Sequence, residues 1–172
     1  GWFYNDESGQ TAAARTSYVW SYYYGMLRNI NKVINAVNQQ SDIINRIATH
    51  GLPNVYNEKA ETYYTINGTD TLATYTLQEA DIAGYYAQAL TMRAYCYSNL
   101  IKLYAPTNSQ LRGAWEDEVV CPIYNENNLE DAQPVATLKE AYSQVENDLT
   151  LAISYFDALE STYTRASKLT VD

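Results

Sequence analysis

The chain has 172 residues, 47% of them hydrophobic, and its 11 basic and 20 acidic side chains leave a net charge of −9. That length and apolar content suit one folded domain or a piece of one, and the composition is not that of a disordered segment. No cluster of Lys and Arg occurs, so neither a nucleic-acid backbone nor an anionic membrane surface is an expected partner. No apolar run approaches the roughly 18 residues needed to span a bilayer. The residues at the start do not form a charged segment followed by an apolar core, so they do not read as a signal peptide.

The first element lies in residues 18–40, where Trp20, Tyr23, Leu27, Ile30, Ile34 and Val37 recur three and four apart. This is one face of a helix. Ser17 is its expected N-cap, and Asn29, Asn31, Lys32, Asn35 and Asn38 mostly fill the opposite face. Residues 41–51, SDIINRIATHG, predict a short second helix capped by Ser41 and stopped by Gly51. His50, the one histidine, sits at the end of that helix, where its charge would complement the dipole.

The period then changes. Residues 60–77 are rich in Thr and Tyr and contain Asn67-Gly68. An Asn-Gly pair between β-forming runs predicts a hairpin, with strands over 61–66 and 69–75. Asn67-Gly68-Thr69 also matches a glycosylation acceptor, but the turn accounts for it without that role.

A long helix is expected over 78–104, with Ala83, Ala87, Leu90, Ala94, Tyr97, Ile101 and Tyr104 as its apolar stripe and Pro106 as its end. Residues 107–136 read as a long irregular connection. Its acidic run Glu116-Asp117-Glu118 reads as a solvated turn rather than a metal cage. A further helix is expected over 137–159, opened by a Thr137/Glu140 capping box. Its inner face would hold Leu138, Tyr142, Val145, Leu149, Ala152 and Phe156. Residues 166–172 look like another helix just beginning. With the abrupt start at Gly1, this suggests a piece of a longer protein.

The 18 tyrosines outnumber the 2 phenylalanines and 3 tryptophans. Tyrosine suits half-buried helix edges and also surfaces that stack flat ligands. Cys96 and Cys121 have no zinc-motif spacing. Cys96 reads as a packed small hydrophobe, and a Cys96–Cys121 disulfide is the alternative in an oxidising compartment. Enzyme signatures are absent from the sequence. There is no GxGxxG or GxxxxGK[ST] loop, no nucleophile motif near His50, and no spacing that points to a pair of catalytic carboxylates. No cofactor is expected.

Arg93 lies beside the apolar stripe of the 78–104 helix, three residues from Leu90 and four from Tyr97. An unpaired guanidinium there would be costly. The expected partner is Asp148 or Glu146, in an ion pair that fixes the register of two helices.

Three stretches in order carry a resemblance: WSYYYGMLRNINKVIN (20–35), ALTMRAYCYSNLIKLYAP (89–106) and PVATLKEAYSQVENDLTLAI (134–153). Together they resemble the SusD/RagB family, and TRASKLTVD (164–172) resembles the start of that family's next helix. Gln88, Ala105 and Val135 depart from the family's usual residues, and residues 61–76 look like an insertion. The resemblance implies a mainly α fold, a tetratricopeptide-like array of long helices with one small inserted β-hairpin. Residues 1–172 would then be a single helical portion of a longer SusD-like protein. It further implies a surface-exposed outer-membrane lipoprotein of the Bacteroidetes type. Such a protein is not an enzyme. It captures glycans, or sometimes peptides, and hands them to a SusC-like TonB-dependent transporter. Sugar rings stack on flat aromatics while amide and carboxylate groups take their hydroxyls. The candidate carbohydrate-binding residues are therefore Trp2, Tyr4 and Asn5 near the start, and Trp115 and Tyr124 in the long connection. The competing reading is a helical-repeat module whose tyrosine-rich face binds another protein.

Overall fold

The computed structural model describes residues 9–106, 113–129 and 131–169. Trp2, Tyr4 and Asn5 lie outside them. The described chain is mainly α: helices α1 (Gly9–Asn38), α2 (Ser41–His50), α3 (Leu77–Tyr104) and α4 (Leu138–Leu169), with strands β1 (Val55–Asn57), β2 (Thr62–Asn67), β3 (Asp70–Thr76), β4 (Val119–Pro122) and β5 (Val135–Thr137). Among the described residues no helix is long and apolar enough to cross a membrane. The fold separates into two compact units. One joins the chain up to Lys32 with Met92–Asn147, and the other joins Val33–Thr91 with the chain from Asp148.

In the first unit Leu27 of α1, Cys96, Tyr97, Leu100 and Ile101 of α3, Val120 and Cys121 of β4, and Leu138 and Ala141 of α4 form one buried cluster. Trp20, Tyr24, Tyr104 and Trp115 pack around it half-buried. Trp20 meets Tyr24 at 4.7 Å and the edge of Tyr104 at 5.0 Å between ring centroids. These four aromatics therefore serve as core edge.

Both cysteines are free thiols, so no disulfide joins them. Burial pushes the Cys96 thiol up to about 11 and raises that of Cys121, against an ordinary value of 9.0. Above pH 9.0 the unfolded chain releases the Cys96 proton while the folded chain holds it. The thiol's contribution to stability is thus complete below that pH and is lost as the pH rises towards about 11. Near neutral pH the native chain should not react with a thiol-specific disulfide reagent, whereas the denatured chain should react at both cysteines.

In the second unit β1, β2 and β3 form an antiparallel sheet in that order. The hairpin expected around Asn67-Gly68 is present, with Asn67 opposite Asp70 and Gly68 at φ 62°. The third strand, β1, was not expected. It is only three residues long, and Asn54 extends its ladder with a side chain: Nδ2 donates to the Ile66 carbonyl and Oδ1 accepts the Ile66 N–H, both at 2.9 Å. Tyr63 and Tyr75 are buried and face each other across the strands. Arg46 of α2 ties this sheet to α3. It donates to the Thr74 carbonyl at 3.0 Å and to Glu79 at 3.1 Å, and lies over the Tyr75 ring. Gly51 stops α2 as expected, at φ 87° and ψ 170°, a backbone region essentially reserved for glycine. Its carbonyl accepts the hydroxyls of Thr65 and Tyr75. Gly51→Ala should destabilise this unit by about 1–3 kcal/mol, measured by denaturant unfolding.

Several helix boundaries differ from the sequence reading. Ser17 is no cap: α1 already starts at Gly9, and the run Ala12-Ala13-Ala14 favours helix upstream of Ser17. Gln40, not Ser41, is the N-cap residue of α2, and no side chain caps it. The helix opened at Leu138 continues to Leu169, so no separate helix starts at Ala166. No Gly or Pro occurs between residues 159 and 166 to interrupt it. The inner stripe of α4 is also displaced. Leu138 and Ala152 are buried as expected and Phe156 is half-buried. However, Tyr142 and Leu149 are each 39% exposed, while Ala141, Asp148 and Tyr155 are buried in their place. The Thr137/Glu140 capping box holds, with Thr137 N–H to Glu140 at 2.8 Å and Glu140 N–H to the Thr137 hydroxyl at 3.2 Å. A second box, Thr76 with Glu79, opens α3 in the same way.

Candidate functional site

The connection between α3 and α4 is not irregular throughout. β4 and β5 pair antiparallel and bring its middle, at Val119–Pro122, against its last residues, Val135–Thr137. The intervening residues fold over α1 and α3, held by hydrogen bonds to side chains below. The Tyr97 hydroxyl, fully buried on α3, donates to the Tyr124 carbonyl at 2.7 Å and accepts the Tyr124 N–H at 2.6 Å. Asn31 Nδ2 of α1 donates to the same carbonyl at 2.9 Å, and the Tyr24 hydroxyl donates to the Pro122 carbonyl at 2.7 Å. Asn128 accepts the Asn125 N–H at 2.8 Å and so tightens the turn that follows Tyr124.

Arg93 belongs to the same network. It is 3% exposed, donates to Asn31 Oδ1 at 3.0 Å and pairs with Glu126 at 2.5 Å. These two partners were not anticipated. Of the acids expected opposite it, Asp148 is buried on α4 and Glu146 is exposed. Asn31, which the sequence places among the outward asparagines, has no exposed surface. It bridges the guanidinium and the Tyr124 carbonyl with its two polar atoms.

Above this network lies a cavity of about 690 Å³, within the range of small-ligand pockets. Trp20, Tyr24, Arg28, Asn31 and Lys32 line it from successive turns of α1, and Pro122, Tyr124, Leu129 and Asp131 close it from the connection. The Tyr24 and Tyr124 rings meet edge to face at 5.8 Å. Burial beside Cys121 raises the Tyr24 hydroxyl well above its ordinary value, so Tyr24 stays a neutral donor. The lining offers flat rings, amide and hydroxyl groups, two cations and one carboxylate. That set suits a polar ligand with an apolar face, and its flat faces and polar groups converge from two chain segments.

Tyr124 is therefore part of this cavity, while Trp115 is not among its lining residues. Trp115 is half-buried against the core cluster and meets Tyr142 edge to face at 6.1 Å, an anchor for the connection. Sequence reasoning missed Trp20, Arg28 and Lys32 as cavity residues. Their signal was the i, i+4 spacing from Trp20 through Tyr24 and Arg28 to Lys32. Among the described residues no group of His, Cys, Asp and Glu gathers that could hold a metal ion. No protein-family model matches the chain, and no curated protein or solved structure matches it.

Proposed function

We propose that the chain is the N-terminal helical portion of a SusD/RagB-like nutrient-binding lipoprotein. It captures glycans, without catalysis, at the outer surface of the cell and delivers them to a SusC-like TonB-dependent transporter. Its helices belong to a tetratricopeptide-like array. The observation that carries the capture reading is the cavity under the connection, where Trp20, Tyr24 and Tyr124 supply ring faces beside Asn31 and Asp131. Ring faces take the C–H surface of a sugar, and the polar groups take its hydroxyls. The ordered motifs at 20–35, 89–106 and 134–153 support the family reading. Trp20 lies in the cavity wall, so intrinsic tryptophan fluorescence reports on the site. Titration with a panel of oligosaccharides should give a saturable change for at least one. A flat response to the whole panel counts against capture.

A second reading has its own support. Tyr18, Tyr22 and Tyr95 are 72%, 53% and 55% exposed in the first unit, an unusual outlay of tyrosine on solvent. They favour a helical-repeat surface for another protein. Replacing all three with Ser should leave saccharide titrations unchanged under the capture reading.

A further inference from the structure

Arg28 and Lys32 stand one helical turn apart on α1, and both line the cavity. The chain is acidic overall, at −9. The half-buried Arg46 and the buried Arg93 are committed, Arg46 to Asp42 and Glu79, and Arg93 to Glu126. Of the exposed lysines, Lys139 has Glu116 at 3.5 Å, while Lys59 and Lys102 have no ion pair among the described residues. Among the described residues, neither Arg28 nor Lys32 has an ion pair or a side-chain hydrogen bond. Like charges one turn apart repel, and an anion placed between them would relieve that repulsion. Among the described residues the single acid in the lining is Asp131, so the described lining carries a positive excess in a negative protein.

We propose that the cavity binds an acidic saccharide, one whose ring bears a carboxylate that Arg28 and Lys32 receive. This rests on the capture reading above and specifies its ligand class. The guanidinium offers a planar fork that matches a carboxylate with two parallel bonds, and the ammonium adds a mobile charge beside it. The rings of Trp20, Tyr24 and Tyr124 take the apolar face of the sugar, and Asp131 accepts from its hydroxyls. A neutral glycan makes no use of either charge.

The test is isothermal titration with oligogalacturonate, oligoalginate and hyaluronan oligomers. Each is compared with its own carboxyl-reduced counterpart, which keeps ring and linkage and removes the charge. At least one acid should bind about tenfold or more tightly than its reduced form. That preference should shrink as salt is raised. The double variant Arg28→Gln, Lys32→Gln should bind the acid no better than the parent binds the reduced form. Both positions are exposed on a helix surface, and an unchanged far-UV spectrum verifies folding. Equal binding of acid and reduced forms overturns the acidic class while leaving saccharide capture standing. Acid binding that survives in the double variant overturns the assignment to these two residues. Failure of every saccharide, acidic or neutral, to bind removes the capture reading and this inference with it.

Discussion

Arg93→Met should lower the stability of the chain by about 3 kcal/mol, the order found when one partner of a buried charge pair is removed. Methionine keeps much of the volume, so a packing void is a minor part of the loss. The larger part is polar. Asn31, with no exposed surface, loses the donor to its Oδ1, and Glu126 loses the guanidinium at 2.5 Å. A buried acceptor stripped of its donor bears a desolvation cost of about 1–3 kcal/mol. Glu126, whose side chain is 21% exposed, recovers part of its loss from water, which keeps the total at the low end for a buried pair. Urea unfolding followed by circular dichroism gives the number. A change below about 1 kcal/mol would show that the guanidinium is not what holds these groups.

Tyr97→Phe should cost about 2 kcal/mol, for the loss of one hydroxyl that serves two bonds. That hydroxyl both donates to and accepts from the backbone of Tyr124, at 2.7 and 2.6 Å, and the ring around it is fully buried. Phenylalanine fills the same space, so the change isolates the hydroxyl. The Tyr124 carbonyl keeps Asn31 as a donor, but its N–H loses the Tyr97 hydroxyl. The effect should therefore centre on the connection. Faster amide exchange at residues 123–126 and weaker saccharide binding should accompany the stability loss. A stability loss with unchanged exchange at those residues would place the effect elsewhere in α3.

The helical frame was largely legible in the sequence because long apolar stripes have a period that little else produces. The stripe of α3 from Ala83 to Tyr104 is buried along its length apart from a half-buried Tyr104. The hairpin was legible because Asn67-Gly68 encodes its turn chemically. What could not be read locally depends on partners distant in sequence. Asn31 looks like any of its neighbouring asparagines until Arg93, 62 residues away, and Tyr124, 93 away, come to its two ends. The α4 stripe was misplaced because Tyr142 and Leu149 look more apolar than Ala141 and Asp148. Their burial is set by neighbouring side chains rather than by hydrophobicity alone. Strand β1 is too short to show a period. Of the candidate site residues within the described structure, Tyr124 joined a cavity and Trp115 became an anchor. Both are aromatics in the same connection, and only the fold distinguishes them.

The central claim is that the cavity between α1 and the connection is the ligand site. A nitrogen–proton correlation spectrum of the chain during saccharide titration tests it most directly, because Trp20 and Trp115 each give an indole signal. The account predicts a saturable shift of the Trp20 indole and of the Asn31 and Tyr124 amides, with the Trp115 indole unmoved. Saturable binding that moves Trp115 and leaves Trp20 and Tyr124 in place would contradict it.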